Sequence, residues 1–146
     1  MISVIVPTLN NAATLPACLG ALVPAAVDAI VTEVFVVDGG STDATLEIAE
    51  DAGVKRAATL EAAVAAAKSD WLLLLPADLR LETGWDAEAA AHVQTSGGRG
   101  GRFRIAPWWP PRLGDRRALL IRRDRLGKPA GRPRRLDSRA LVISPG

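Results

Sequence analysis

Apolar residues form three short, nearly continuous runs in the first half of the chain, at residues 2–6, 34–37 and 71–75. Runs of this length that do not alternate with polar residues are typical of strands buried on both faces of a parallel sheet. The polar or strand-breaking residues that follow them are Pro7, Asp38 and Pro76. The segment at residues 54–58 predicts a fourth, short strand.

Helical spacing appears between and after these runs. Leu15, Leu19 and Leu22 recur at intervals of three or four residues, which predicts a helix that begins near residue 13. Asn11 is its expected N-cap, and Pro16 then falls in the first turn, where proline is tolerated. Further helices are predicted at residues 44–52, 60–67 and 82–93.

Capping residues predict the bounds of the two middle helices. Ser41 or Thr42 would cap the first of them, and Asp43 also lies near its start, where a carboxylate is favourable. Gly53 would end that helix, because glycine readily takes the left-handed conformation of a C-terminal stop. Thr59 would cap the second helix.

The alternation of strands and helices predicts an α/β fold with a mostly parallel sheet and right-handed crossovers. Ligands of such sheets bind beyond the carboxyl ends of the strands. The three strong strands end at Pro7-Thr8, at Asp38 and shortly before Asp78. We therefore expect these residues to line one crevice.

The character of the chain changes after residue 95, where the Gly-rich segment TSGGRGGR begins. Short strands are predicted at residues 103–106, 118–121 and 141–143. Trp108 and Trp109 lie between prolines, and three roles stay open for them: stacking on a sugar, contact with a membrane interface, or packing in a core or dimer contact.

Charge is distributed very unevenly along the chain. Residues 1–98 carry four basic and thirteen acidic side chains, a net charge of −9, whereas residues 99–146 carry fourteen basic and three acidic ones, a net charge of +11. A basic block of this kind favours an anionic partner such as a phosphate, an anionic lipid, a nucleic acid or the acidic half of the same chain. An Arg-rich solvated surface is the alternative.

Asp38 and Asp78 are the candidate functional carboxylates. A carboxylate directly after a buried strand is costly unless it has partners or a ligand. Gly39 and Gly40 follow Asp38 and would let a ligand approach the backbone closely. An acidic crevice would repel a nucleoside diphosphate unless a divalent cation lay between them, so Asp78 is the expected ligand of Mg²⁺ or Mn²⁺.

Other single residues suggest less chemistry. Cys18 is the only cysteine, so no internal disulfide can form, and we expect it to be a small buried hydrophobic residue. His92 has no companion ligands and is expected at the surface.

The N-terminus lacks a basic region and the apolar stretch at residues 21–31 is too short to span a bilayer, so we expect a soluble, cytoplasmic protein without a signal peptide, with peripheral membrane contact left open.

Three segments resemble the nucleotide-binding half of family 2 glycosyltransferases: VIVPTLNNAATLPACLGAL, EVFVVDGGSTDATLEIAEDAG and AAAKSDWLLLLPADLRLETGW. The resemblance implies a GT-A fold, a Rossmann-like sheet flanked by helices that binds a nucleotide-diphosphate sugar. It assigns Pro7 and Thr8 to backbone contacts with the base and Asp38 to the base edge, with Asn10 and Gly39 in the same nucleotide-binding turn.

The resemblance also implies roles for residues further along the chain. Arg56 lies where the family often has a basic residue near the donor, and Asp78 lies where its metal-binding D-x-D motif ends. Pro76 stands where that motif usually begins with an aspartate. The segment GDRRALLIRRDRLG resembles the start of the acceptor half, which makes Asp115 the candidate catalytic general base.

The resulting expectation is a single GT-A-like domain over residues 1–146, with a nucleotide-sugar-binding half at 1–95 and a basic, compressed acceptor half at 96–146. Its expected activity is metal-assisted transfer of a sugar to a phosphorylated or lipid-linked acceptor, and homo-oligomerisation stays open. The alternative is a non-catalytic nucleotide-sugar-binding or regulatory remnant of the family. Nucleic-acid binding is not expected, because the first half is acidic and no RNP-like or zinc motif is present.

Overall fold

The computed structural model describes residues 1–95 and 118–123 in full and the backbone of the strand segments 101–102, 104–105, 134–135 and 142–145. Its helices are α1 (Leu15–Gly20), α2 (Val23–Val27), α3 (Thr45–Asp51), α4 (Leu60–Ala66) and α5 (Trp85–Thr95). Its strands are β1 (Ile2–Thr8), β2 (Val31–Asp38), β3 (Lys55–Ala57), β4 (Trp71–Leu74), β5 (Leu79–Leu81), β6 (Gly101–Arg102), β7 (Arg104–Ile105), β8 (Leu119–Arg122), β9 (Arg134–Arg135) and β10 (Val142–Pro145).

The main sheet has the strand order β3-β2-β1-β4-β8-β6-β9. The first four strands of this order are mutually parallel, and β8 then pairs antiparallel with both β4 and β6. The α/β class, the parallel sheet and the four strands expected in the first half are therefore confirmed.

Strand β1 lies at the centre of the parallel region and is buried on both faces, since Ile2, Val4, Ile5 and Val6 have no exposed surface. Two hydrophobic clusters cover these faces. The larger one includes residues of α1, α2 and α5, and the smaller one packs Ala63 of α4 against the other face. Burial on both faces explains why β1 has no polar alternation.

The first helix differs from its prediction in two ways. It begins at Leu15 with Thr14 as N-cap, so the expected cap at Asn11 is wrong. The Asn11 side chain instead accepts a hydrogen bond from the Leu9 N–H at 2.8 Å, and is engaged in the preceding loop. The apolar segment continues as the separate helix α2, which has Pro24 in its first turn.

The middle helices confirm two of the predicted bounds. Thr59 accepts a hydrogen bond from the Ala62 N–H at 3.0 Å and caps α4. Gly53 follows α3 with a φ of +72°, as expected of a C-terminal stop. The prediction that Ser41 or Thr42 caps α3 is wrong, because Ala44 is the N-cap and both hydroxyl residues bond elsewhere.

A second, three-stranded sheet has the order β5-β10-β7. Strand β5 follows Asp78 directly and was not predicted, although Leu79 and Leu81 are buried and Arg80 is exposed. The strands expected at residues 103–106, 118–121 and 141–143 correspond to β7, β8 and β10. Trp108 and Trp109 lie outside the described residues.

His92 is buried, so its expected surface position is wrong. Its ring lies 5.9 Å from that of Trp71 in an edge-to-face arrangement, and the residue is 7% exposed. Helix α5 turns this face towards the core, which the sequence did not reveal because the apolar spacing around His92 is weak. Cys18 is buried as expected. Within the described part of the chain, no helix combines the length and apolar character needed to cross a membrane.

Candidate functional site

The carboxyl ends of β1, β2 and β4 meet at one edge of the sheet, as predicted. Thr8 lies opposite Asp38 in the parallel register, and the Leu75 N–H donates to the Ile5 carbonyl at 2.9 Å just after β4. The Thr8 hydroxyl donates to the Asp38 carboxylate at 2.7 Å. The ends of the first two strands are therefore joined directly at this edge.

The Asp38 carboxylate accepts four hydrogen bonds from the protein. Its Oδ1 accepts from the hydroxyls of Thr8, at 2.7 Å, and Ser41, at 2.5 Å. Its Oδ2 accepts from the backbone N–H groups of Ser41, at 2.7 Å, and Gly40, at 3.0 Å. Asp38 thus organises the turn after β2 as well as lying at the carboxyl edge of the sheet, a structural role that the sequence analysis did not anticipate.

These contacts change the acidity of Asp38. Partial desolvation of the carboxylate acts to raise its pKa, but the hydrogen bonds from Ser41, Thr8 and Gly40 outweigh that effect. The pKa of Asp38 is lowered from 3.8 to about 2. The side chain is therefore a charged acceptor at neutral pH.

Asn10 connects the loop after β1 to the loop after β2. Its φ of +53° is a left-handed conformation that asparagine tolerates better than most residues. Its N–H donates to the Ser41 hydroxyl oxygen at 2.9 Å, and its side-chain oxygen accepts from the Thr42 N–H at 2.8 Å. The structure places Asn10 at the carboxyl edge of the sheet, with its side-chain oxygen turned to the neighbouring loop.

Further bonds between the same two loops involve Asp43 and Thr45. The N–H groups of Asn11 and Ala12 donate to the Thr45 hydroxyl at 2.9 Å and to Asp43 Oδ2 at 3.2 Å. Asp43 Oδ1 also accepts from the Thr45 N–H at 3.0 Å and from the Thr45 hydroxyl. Asp43 therefore anchors the start of α3, in line with its expected position near that helix terminus.

The two glycines after Asp38 have different constraints. Gly40 has a φ of +105°, where a side chain would be strained. Gly39 donates its N–H to the Thr8 carbonyl at 2.8 Å, and a Cβ built on it would have only ordinary contacts. The exposed side chain of Leu9 lies next to Gly39 and offers an apolar surface at this edge of the sheet, a feature that the sequence analysis missed.

Asp78 lies in the segment between β4 and β5, and helix α1 packs behind this segment. The Cys18 thiol lies 3.9 Å from the Pro76 carbonyl oxygen. Burial, and secondly the negative charge of Asp78, raise the pKa of Cys18 to about 12. The thiol is therefore neutral and serves as packing behind the predicted metal ligand.

The remaining predicted residues are spread more widely. Pro7 is exposed at the end of β1, opposite Val37. Arg56 is exposed on the edge strand β3, in register with Val36. Asp115 lies outside the described residues. Thr8, Asn10, Asp38 and Gly39 are thus brought together, whereas Arg56 lies at the edge of the sheet.

The chemistry of a metal site can be judged from the donors present. Among the residues described, no group of three or more His, Cys, Asp or Glu side chains could enclose a metal ion. Mg²⁺ and Mn²⁺ are commonly held by one or two carboxylates, with substrate phosphates and water completing the shell. Asp78 is the carboxylate that the sequence predicts for such an open site.

Comparisons with known proteins agree with this architecture. The family model described as glycosyl transferase family 2 matches residues 3–100. Glycosyltransferases of PGL/p-HBAD biosynthesis from Mycobacterium bovis and Mycobacterium tuberculosis are 38% identical over 109 residues, covering 64% of this chain and 40% of theirs. The chain therefore spans less than half the length of these relatives.

Two solved structures show the same fold. Glucosyl-3-phosphoglycerate synthase from Mycobacterium tuberculosis, in complex with Mn²⁺, UDP and phosphoglyceric acid, has a TM-score of 0.66 at 21% identity, covering 85% of this chain and 56% of its own. S. aureus TarS 1-349 in complex with UDP-GlcNAc has a TM-score of 0.61 at 24% identity, covering 75% and 36%. With the match over residues 3–100, these findings show that the chain belongs to glycosyl transferase family 2 and has its GT-A fold.

Proposed function

We propose that this chain binds a nucleotide-diphosphate sugar at the carboxyl edge of the parallel sheet and transfers the sugar to an acceptor. The observation that carries the proposal is the ionised Asp38, held at the edge where the first two parallel strands end. The family match supports sugar transfer as the reaction class. The structural neighbours crystallised with UDP or UDP-GlcNAc support a uridine nucleotide as the first ligand to test.

Each part of the edge would recognise a different part of the nucleotide. Asp38 would accept a hydrogen bond from an N–H of the base or a hydroxyl of the ribose. The backbone of Pro7 and Thr8, with Gly39, would lie against the base, and the exposed Leu9 would cover one of its faces. Arg56 would lie near the donor from strand β3.

Asp78 would hold a divalent cation together with the diphosphate. When bound, Mg²⁺ or Mn²⁺ would offset the charge of the leaving nucleoside diphosphate. The structural neighbour that contains Mn²⁺ supports this choice of ion. Pro76 replaces one carboxylate of the usual motif, so we expect weaker metal binding than two carboxylates would give.

The acceptor would be recognised by the basic second half of the chain. Residues 99–146 carry a net charge of +11, which suits a phosphorylated or lipid-linked acceptor. Phosphoglyceric acid in a structural neighbour is an anionic molecule of this kind. Asp115 would be the general base that takes the proton of the acceptor hydroxyl. We further propose that the protein is cytoplasmic, that it lies at the membrane periphery and that it self-associates.

Calorimetry with UDP, UDP-glucose and GDP-glucose, with and without Mn²⁺, tests the proposal. We expect binding of at least one ligand that is strengthened by Mn²⁺, lost in Asp38→Ala and made independent of Mn²⁺ in Asp78→Asn. Asp70→Asn is the matched control, because Asp70 is an exposed aspartate just before β4, at the opposite edge of the sheet. Absence of binding to all three ligands, or binding unchanged by Asp38→Ala, would refute the proposal.

A non-catalytic nucleotide-sugar-binding protein is the second candidate. Pro76, at the position where the family's metal-binding motif usually has an aspartate, favours it. The two candidates differ in turnover, which release of UDP from UDP-glucose measures. Hydrolysis or transfer that is abolished by Asp78→Asn supports the enzyme, and tight binding without any UDP release supports the binding protein.

A further inference from the structure

All four acceptor positions of Asp38 are occupied within the protein itself. A carboxylate has about four lone-pair sites, and Thr8, Ser41 and Gly40 fill them with two hydroxyl and two backbone donors. A ligand N–H or O–H can therefore bind this carboxylate only if one of these donors leaves. The identity of the departing donor then influences the affinity for the ligand.

Three of the four donors are held in place by the fold. The N–H groups of Gly40 and Ser41 belong to a turn that depends on the left-handed conformation of Gly40. The Thr8 hydroxyl belongs to a β-branched residue that is 4% exposed, at the end of the central strand. Moving any of these groups would disturb the turn or the sheet.

The Ser41 hydroxyl is different. It belongs to a half-buried loop residue whose unbranched side chain can rotate about a single bond. We propose that the Ser41 hydroxyl is the exchangeable donor of Asp38: it occupies Oδ1 in the free protein and gives this position to the nucleoside when the nucleotide binds. Ser41 thereby lowers the affinity for the nucleotide. This inference rests on the proposed function.

The exchange also couples the ligand to the loop after β1. The Ser41 oxygen accepts the Asn10 N–H at 2.9 Å, so rotation of Ser41 releases that N–H towards the crevice. The loop itself stays attached, because the Asn10 side chain keeps its bond with the Thr42 N–H at 2.8 Å. Nucleotide binding is therefore accompanied by a local change at Asn10 and Ser41, while the two loops remain docked.

Removal of the Ser41 hydroxyl tests this exchange. Calorimetry with UDP and Mn²⁺ should show that Ser41→Ala binds UDP about fivefold more tightly than the wild type, because only water then has to leave Asp38. Ser41→Thr keeps the donor on a stiffer, β-branched side chain and should bind UDP no more tightly than the wild type. Thr32→Ala is the matched control, since it deletes a hydroxyl near the start of β2, at the opposite edge of the sheet, and it should leave UDP affinity unchanged.

A mere structural role for Ser41 makes the opposite prediction. Equal or weaker UDP binding by Ser41→Ala, with Thr32→Ala unchanged, would overturn the exchange. Should Ser41→Ala fail to fold, Ser41→Cys provides a second variant of similar size whose thiol donates only weakly, and it should also bind UDP more tightly. Weaker or unchanged binding by that variant would likewise overturn the inference.

The outcome separates this inference from the proposed function. If the wild type binds UDP, Asp38→Ala loses it and Ser41→Ala gains no affinity, only the exchange is wrong. If the wild type binds none of the nucleotides or nucleotide sugars, the proposed function itself is wrong and the exchange fails with it.

Discussion

Strand β2 carries two carboxylates that each accept several hydrogen bonds, Glu33 near its start and Asp38 at its end. Glu33 accepts bonds from the Ser3 hydroxyl at 2.8 Å, the Lys68 N–H at 2.6 Å and the Lys55 ammonium at 3.0 Å. Its side chain is 4% exposed. These partners join β1, β3 and the segment before β4, so Glu33 connects structural elements away from the crevice.

The comparison shows that acidity alone does not identify a functional carboxylate. Desolvation opposes ionisation of Glu33, but the bonds from Lys68, Ser3 and Lys55 prevail and its pKa is lowered, as is that of Asp38. What differs is the position along the strand. Asp38 lies at the carboxyl end, where ligands of parallel sheets bind, whereas Glu33 lies at the opposite end and is enclosed by its partners.

The largest expected effect is on stability when Glu33 is replaced. Glu33→Ala would leave the Ser3 hydroxyl and the Lys68 N–H without their acceptor, and we expect the free energy of unfolding in urea to fall by about 3 kcal/mol. Glu33→Gln keeps an acceptor oxygen and should lose about half as much. UDP binding by the folded variants should be unchanged. A large loss of UDP affinity in a folded Glu33→Ala protein would show that Glu33 also contributes to nucleotide binding, contrary to the distinction from Asp38.

Replacement of Asp38 should have the opposite outcome, a large effect on UDP binding and a small effect on stability. Asp38→Asn removes the charge and offers one acceptor oxygen in place of two, so we expect UDP affinity to fall roughly 50-fold. Its free energy of unfolding should fall by only about 1 kcal/mol, because the residue is half-buried and water can reach the turn. Calorimetry and urea denaturation of the same sample measure both quantities. A variant that unfolds readily but keeps its UDP affinity would show that Asp38 is structural.

The pH dependence of stability tests how much the hydrogen bonds of Asp38 stabilise the folded protein. Because its pKa is lowered from 3.8 to about 2, the stabilisation is fully present above pH 4 and is lost as pH falls towards 2. The wild type should therefore lose about 1 kcal/mol more than Asp38→Asn over this interval, after allowance for solvent screening. Urea denaturation at several pH values measures the difference. If the free energy of unfolding of the two proteins changed equally with pH, the lowered pKa of Asp38 would be contradicted.

The smallest effect is expected at Lys55, the charged partner of Glu33. The Lys55 side chain is 53% exposed, and its ammonium also lies 5.5 Å from the centre of the Phe35 ring. Lys55→Met should lower the free energy of unfolding by less than about 1 kcal/mol, because Glu33 keeps its two other donors. Thermal denaturation at low and high salt measures this. A loss as large as that expected for Glu33→Ala would show that the ion pair with Lys55 is the main stabilising interaction of Glu33.

The long apolar runs made the central strands predictable. Very short strands and contacts between residues distant in sequence were not predicted. Strand β5 has only three residues, too few for a clear alternation of buried and exposed positions. The burial of His92 depends on Trp71, which is distant in sequence. Asn11, Ser41 and Thr42 were expected to cap helices, and all three instead take part in the loops around Asp38.

The sequence by itself determined the parallel α/β sheet and the edge at which Thr8, Asp38 and the segment before Asp78 come together. Buried strands need apolar residues on both faces, and the order of strands and helices restricts the topology. Only the tertiary structure decided how the turn around Asp38 is joined to β1 and the loop after it, because the bond between Thr8 and Asp38 and the contact between Asn10 and Ser41 join residues 30 or more positions apart. Local patterns carry no information about such pairs, since the turns bring them together only when the sheet has formed.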